Sequence, residues 1–167
     1  MNTKKKLLGA LVLTPLVTIS LTVTALATPS SGLASTTLSL GHFSAFHLKA
    51  NAEPGHQIDL KTKGDSDVYV VSNTFTANGG SSGWHTHPGP SLITVKSGTI
   101  TAYEGDEPAC TPHVYPAGAS FIDPGDGHAH LLRNEGTVDA VTIAVQFLPA
   151  GAPRRIDVVP APVDCPF

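Results

Sequence analysis

Glycine and proline interrupt this chain at short intervals, and that feature constrains its fold more than any other. The 167 residues include 16 Gly and 14 Pro, which leave only short stretches for regular structure. Those stretches are β-prone, and none after residue 27 shows the apolar stripe of an amphipathic helix. Hydrophobic residues make up 41% of the chain and charged residues 14%, a composition that does not favour disorder. The sequence therefore predicts an all-β sandwich or barrel.

Two strand regions carry more detailed predictions. Residues 92–96 and 99–103 are β-prone and flank Ser97-Gly98, which predicts a hairpin turn. Between residues 141 and 147, bulky apolar side chains alternate with small or polar ones, so one face of this strand is expected in the core. The bulky members are Val141, Ile143, Val145 and Phe147.

The first 27 residues have the pattern of a secretory signal peptide. Lys4, Lys5 and Lys6 precede an uncharged apolar run that ends in an A-x-A cleavage site at Ala27. The alternative is a permanent membrane anchor, for which Pro15 and the many threonines are poorly suited. We expect a secreted or cell-envelope protein with no membrane span after cleavage, and a flexible leader over residues 28–36.

Two cysteines, Cys110 and Cys165, follow the predicted cleavage site. In an oxidising compartment two such residues most simply form a disulfide. A metal-ligand or nucleophile role is the alternative, although neither cysteine lies in a C-x-x-C pair. Loss of three lysines on cleavage makes the formal net charge of −3 more negative, so nucleic acid is not an expected partner.

Two H-x-H pairs are the strongest indication of chemistry. His85 and His87 form the first pair, and His128 and His130 form the second. On a strand, alternate side chains share a face, so each pair can direct two imidazoles toward one divalent ion.

The residues around the first pair resemble a motif of the cupin family, usually written G-x5-H-x-H-x3,4-E-x6-G. Here the motif positions are Gly79, His85, His87, Ser91 and Gly98, and every spacing fits. Ser91 stands where the family has glutamate.

The residues around the second pair resemble the second cupin motif, usually written G-x5-P-x-G-x2-H-x3-N. Gly118, Pro124, Gly127, His130 and Asn134 occupy its positions, with one extra residue between the proline and the glycine. More narrowly, the chain resembles small secreted bacterial proteins with a single cupin domain. The resemblance implies a jelly-roll β-barrel with a C-terminal tail over residues 37–167.

By this resemblance, His85, His87 and His130 are the expected ligands of one divalent transition metal. Fe, Mn, Ni, Cu and Zn are not distinguished, and Ser91 occupies the position of the fourth ligand. His128 is expected to point away from the site. Asp123 is expected to be a turn residue, with orientation of a ligand histidine as its alternative role.

Three functions remain open at this point. The first is oxygenation of a small organic molecule by a metal-dependent dioxygenase of the cupin type. The second is a non-catalytic extracellular module that binds a small ligand or metal, which the absent glutamate favours. The third is a metal-dependent isomerase or lyase. The resemblance is also compatible with a homodimer.

Overall fold

The computed structural model describes residues 28–53, 55–162 and 165, so the predicted signal peptide lies outside the described residues. All regular structure in this part of the chain is β-strand, which confirms the all-β prediction. The strands are β1 (Leu33–Phe43), β2 (His47–Glu53), β3 (His56–Lys61), β4 (Ser66–Phe75), β5 (His85–Thr86), β6 (Ser91–Ser97), β7 (Thr99–Glu104), β8 (His113–Pro116), β9 (Ser120–Asp123), β10 (His130–Arg133), β11 (Ala140–Pro149) and β12 (Ile156–Asp157).

Two five-stranded antiparallel sheets form a jelly roll, as the sequence predicts. One sheet has the order β1-β4-β11-β6-β9 and the other has the order β12-β5-β10-β7-β8. A separate ribbon pairs β2 with β3. In the described residues, no helix has the length and apolarity to cross a membrane.

The two sheets are joined by an apolar cluster. Phe75 and Val95 of the first sheet pack with Ile100 and Leu132 of the second, and all four are at most 5% exposed. Burial of side chains of this size stabilises the fold by about 1.5–3 kcal/mol each. The cluster therefore holds the strands that carry the histidines in a fixed position relative to the opposite sheet.

The predicted hairpin at Ser97-Gly98 is wrong. Strand β6 pairs with β11 and β9 in the first sheet, whereas β7 pairs with β10 and β8 in the second. The chain crosses between the sheets at Gly98, which has a φ of 72°. A Cβ at Gly98 would lie 2.7 Å from the Ala140 Cα, so the crossing needs glycine for its backbone conformation and for the space.

Strand β11 buries the face opposite to its bulky apolar side chains. The four bulky side chains are half-buried on the outer face, and Val145 lies between Val70 of β4 and Leu92 of β6. The buried face carries smaller and polar side chains, because part of it lines an internal cavity instead of filling a solid core. Its members are Ala140, Thr142, Ala144, Gln146 and Leu148.

Regular pairing begins inside the segment predicted as a flexible leader. Strand β1 starts at Leu33 and pairs with β4, and Ser31 forms a β-bridge with Ser81. This pairing occurs because the edge of β4 offers backbone partners to residues 33–36.

A C-terminal tail covers β5, the strand that carries His85. Asp157 of β12 pairs with His85, and the Val158 amide donates to the Trp84 carbonyl at 3.1 Å. Farther along, Cys165 forms a disulfide with Cys110, with their Cα atoms 5.0 Å apart. The structure thus pairs the two cysteines as predicted and fixes the tail against β5.

Candidate metal centre

Three histidines from two distant stretches of chain meet inside the jelly roll. His85 of β5 is paired in register with His130 of β10, and His87 follows β5. The three side chains are buried, and one ring nitrogen of each lies within 4.8 Å of the others. The ring centroids of His85 and His130 are 4.3 Å apart, and those of His87 and His130 are 5.3 Å apart. The predicted ligand residues are therefore brought together.

Hydrogen bonds orient two of the three rings. The Nδ1 of His85 donates to the Gly83 carbonyl at 2.9 Å, and the Nδ1 of His87 donates to the Arg154 carbonyl. A nitrogen that donates to a carbonyl carries the proton, so each neutral ring keeps its lone pair on Nε2. These contacts select the tautomer that presents Nε2 to a metal.

Burial keeps the three histidines neutral. It lowers the pKa of His85 to about 2, with smaller contributions from the positive charges of protonated His130 and of Arg155. Burial likewise lowers the pKa of His130 to about 4, against the opposing charge of Asp123. The pKa of His87 is also lowered, again mainly by burial. The rings are therefore in the state that binds a metal at neutral pH.

The three histidines open into a cavity of about 210 Å³. One part of its wall is apolar and includes Val71, Ile93 and Leu132, while another part is polar and includes Thr142 and Gln146. The volume is below the roughly 300–1,000 Å³ of sites for drug-sized ligands. The cavity is therefore suited to a small molecule next to the histidines.

Two arginines of the tail also line this cavity. The Nη1 of Arg154 donates to Gln146 Oε1 at 3.2 Å, and its guanidinium carbon lies 5.5 Å from the Tyr69 ring centroid. Arg155 pairs through Nε with Asp157 at 2.6 Å. Among the residues that the structure describes, no carboxylate lies within 4.0 Å of the Arg154 guanidinium. The cavity wall therefore carries a positive charge that has no carboxylate partner in the described part of the chain.

Ser91 lies at the cavity wall, where the family motif has glutamate. Its side chain is 1% exposed, and its Oγ accepts a 3.5 Å hydrogen bond from Gln146 Nε2. A neutral hydroxyl is a poor ligand for a divalent cation, so Ser91 does not replace the missing carboxylate.

Asp123 lies beside the histidines, a place that the sequence suggested only as the alternative to a turn role. It is the direct partner of Ser91 across β6 and β9, and its carboxylate lies 3.7 Å from His87 and 3.6 Å from His130. The predicted turn role is also present, because Oδ1 accepts the Gly125 amide at 3.0 Å. The register of β6 against β9 is the information that places Asp123 here, and no local pattern in the sequence gives that register.

The other histidine of the second H-x-H pair, His128, lies on the other side of His130. Its Nε2 is 3.4 Å from Asp106 and 3.6 Å from Glu104, and its side chain is 24% exposed. It forms a second possible ligand group with Asp123 and His130, but it is absent from the cavity wall. The structure thus places His128 outside the cavity, at a partly buried acidic surface.

Comparisons with known proteins are consistent with the motifs. Residues 74–146 match a family model described as a cupin domain, and the matched region contains all three histidines. This match supports the resemblance to the cupin superfamily. A search of the curated proteins found no match.

Several solved structures are similar to this chain at low identity. A cupin-like protein from Thermotoga maritima is 16% identical, with a TM-score of 0.46 over 57% of this chain and 77% of that one. A Klebsiella pneumoniae protein with a double-stranded β-helix domain is 22% identical, with a TM-score of 0.43 over 69% and 84% of the two chains. An oxalate oxidase in complex with glycolate is 23% identical, with a TM-score of 0.46 over 55% of this chain. The similarity covers 46% of that oxalate oxidase chain.

Proposed function

We propose that this protein binds one divalent transition-metal ion on His85, His87 and His130 and oxygenates a small organic acid beside it. The observation that carries the proposal is the convergence of three buried, neutral imidazoles at the wall of a partly open cavity. Three protein ligands with positions left for exchangeable molecules are the pattern of catalytic metal sites. When bound, the ion supplies a Lewis-acid centre for small molecules and O₂.

The cavity wall supports an acid as the substrate class. Arg154 directs a guanidinium toward the cavity, and the described part of the chain holds no carboxylate that neutralises it. A guanidinium binds a carboxylate through two parallel hydrogen bonds. Arg154 would thus hold the acid, while the apolar side chains, such as Val71 and Ile93, exclude water from the reacting end.

We propose export from the cytoplasm as the setting of this function. The disulfide between Cys110 and Cys165 is compatible with an oxidising compartment. The signal-peptide pattern over residues 1–27 supports the same location.

Elemental analysis with oxygen-uptake measurements tests the proposal. Protein prepared with excess Fe, Mn, Ni, Cu or Zn should retain about one equivalent of metal, and His85→Ala or His130→Ala should lose it. His56→Ala, an exposed change in β3, should retain it and serves as the matched control. O₂ should be consumed with a panel of small carboxylic acids, and Arg154→Gln should raise KM while metal content stays the same.

A non-catalytic module that binds a small ligand or metal is the second candidate, and Ser91 is the observation that favours it. One equivalent of metal with no O₂ consumption for any acid in the panel would support this module. No retained metal under any condition would contradict the metal site itself.

A further inference from the structure

Buried polar atoms without hydrogen bonds gather around His128, which does not line the cavity. Among the described residues, the Nδ1 of His128, the Nδ1 of His130 and the Oε2 of Glu104 are buried and make no hydrogen bond of acceptable geometry. Glu104 lies beside both histidines, because it is the register partner of His130 and its Oε2 is 3.6 Å from His128 Nε2. Unpaired buried polar atoms are costly, so this region needs a further group that satisfies them.

The buried carboxylate of Asp123 lies close to both of these ring nitrogens. Its Oδ1 is 3.6 Å from His130 Nδ1 and 3.9 Å from His128 Nδ1, and both separations are longer than a hydrogen bond. A proton on either nitrogen would therefore lack an acceptor here, and a lone pair would face an anion. A cation among the three atoms would bind the lone pairs and the carboxylate together, and two ligand atoms of one tetrahedral ion are about 3.4 Å apart.

The surroundings of His128 favour a lone pair on its Nδ1. The other ring nitrogen, Nε2, lies 3.4 Å from Asp106 Oδ1 and 3.6 Å from Glu104 Oε2. Two carboxylates at this distance favour the ring proton on Nε2, which leaves the lone pair on Nδ1. A histidine that binds a metal commonly has a carboxylate beside its second nitrogen. The ring of His128 is therefore oriented as a metal ligand.

We infer that Asp123, His128 and His130 form a second site for a divalent transition-metal ion, outside the cavity. One ligand atom of each residue lies within 4.8 Å of the others. Two imidazole nitrogens and one carboxylate oxygen suit Zn²⁺ or Co²⁺, whereas Ca²⁺ and Mg²⁺ prefer oxygen ligands. The ring of His130 is shared, because Nδ1 faces Asp123 and Nε2 is left for the cavity histidines. When both ions are bound, this ring releases its proton to solvent and bridges them.

The second site should hold its ion less tightly than the cavity histidines do. The His128 side chain is 24% exposed, whereas the three cavity histidines are buried, so solvent competes more strongly for the second ion. Two positive ions on one ring also repel each other. We therefore expect the second ion to bind in the presence of free metal and to leave on desalting, while the cavity ion is retained.

An ion pair without metal is the competing explanation for these contacts. A protonated His128 would pair with the carboxylates of Glu104 and Asp106, which accounts for the position of Nε2. It does not account for the two Nδ1 atoms of His128 and His130, which stay buried without a hydrogen bond in the described part of the chain.

Equilibrium dialysis against free Zn(II) tests the inference on the protein with its disulfide intact. The unaltered protein should bind one more equivalent than it retains after desalting. His128→Gln removes the Nδ1 ligand and should weaken the additional equivalent by at least about 10-fold, the smallest loss typical even of groups that only orient a ligand. The retained equivalent should stay the same. His113→Gln is the matched control, because His113 also pairs with a carboxylate, that of Glu107, but belongs to no ligand group in the described residues.

NMR of the imidazole nitrogens gives a second measurement that needs no variant. The additional Zn(II) should shift the Nδ1 resonance of His128 and leave the ring of His113 unchanged. Equal losses in His128→Gln and His113→Gln, or equal shifts of the two rings, would overturn the inference and indicate nonspecific binding to the acidic surface.

His87→Ala separates this inference from the proposed function. The change removes a residue of the cavity cluster only, so the variant should retain no ion after desalting. It should still bind one Zn(II) at equilibrium, at least as tightly as the unaltered protein binds its additional ion. No additional equivalent in the unaltered protein and none in His87→Ala would overturn the inference, even if one ion is retained. Binding that depends on His128, without a retained ion, would support this site and contradict only the proposed function.

Discussion

The buried histidines should make the free energy of unfolding of the metal-free protein fall in mild acid. In the folded chain the pKa of His85 is about 2 and that of His130 is about 4, while an unfolded histidine titrates near 6.5. Below pH 6.5 the unfolded chain takes up protons that the folded chain does not. Stability is therefore full above pH 6.5 and decreases as the pH falls toward the folded pKa values.

The size of this effect follows from the two shifts. At pH 5 each histidine lies about 1.5 pH units below its unfolded pKa and is still neutral when folded, which costs about 2 kcal/mol. The pair therefore costs about 4 kcal/mol between pH 8 and pH 5. A total stability of about 5–15 kcal/mol is usual for a domain, so the loss is easily measured.

Urea unfolding of EDTA-treated protein at several pH values between 8 and 5 measures this loss of stability. His85→Gln and His130→Gln cannot be protonated at this position, so each should reduce the loss between pH 8 and pH 5 by about 2 kcal/mol. Carboxylates contribute equally in all variants and cancel in the comparison. His56→Ala, a change at an exposed position, should keep the full pH dependence. Equal pH dependence in the unaltered protein and both Gln variants would refute the argument that these rings are buried and neutral.

Two further predictions concern the framework of the site. Asn134→Ala removes an amide whose NH2 donates to the carbonyls of Phe75, Thr76 and Val138, with one N–H shared between two of them, and whose oxygen accepts from the Gly136 amide. At about 1 kcal/mol for each of the three full bonds, the change should lower the free energy of unfolding by about 3 kcal/mol in urea. An unchanged unfolding midpoint would contradict a role for Asn134 in holding these loops. Cys165→Ser opens a bridge between residues 55 positions apart and should destabilise by about 4 kcal/mol on the chain-entropy model; Cys110→Ser should do the same, and a double variant that lost twice as much would show that the two cysteines act separately.

The meeting of His85, His87 and His130 was predictable because it depends on local alternation and on the spacing of two recognisable motifs. A place beside a ligand histidine was only the alternative role for Asp123, since its position near His87 depends on the register of β6 against β9. The residues on either side of Asp123 in the sequence do not specify this register.

The errors in the strand predictions also have physical causes. The Ser97-Gly98 pair indicates a sharp change of chain direction. The same backbone conformation occurs in a hairpin turn and in a crossing between two sheets, so the pair does not distinguish them. For β11, the larger apolar face is usually the buried one. In β11 the buried face lines a cavity, which reverses this preference. Thr142, Ala144 and Gln146 leave the cavity open, whereas side chains as large as Val145 and Phe147 would fill it.

The tail that begins after β11 lies beyond residues 74–146, where the match to the cupin domain ends. It nevertheless supplies the carbonyl that orients His87 and the guanidinium of Arg154 at the cavity. In the proposed function, the histidines for the ion and the arginine for the acid thus lie in separate stretches of this polypeptide. Substitutions in the tail that keep the Arg154 carbonyl in place would change the ligand of related proteins and leave the histidine cluster unchanged.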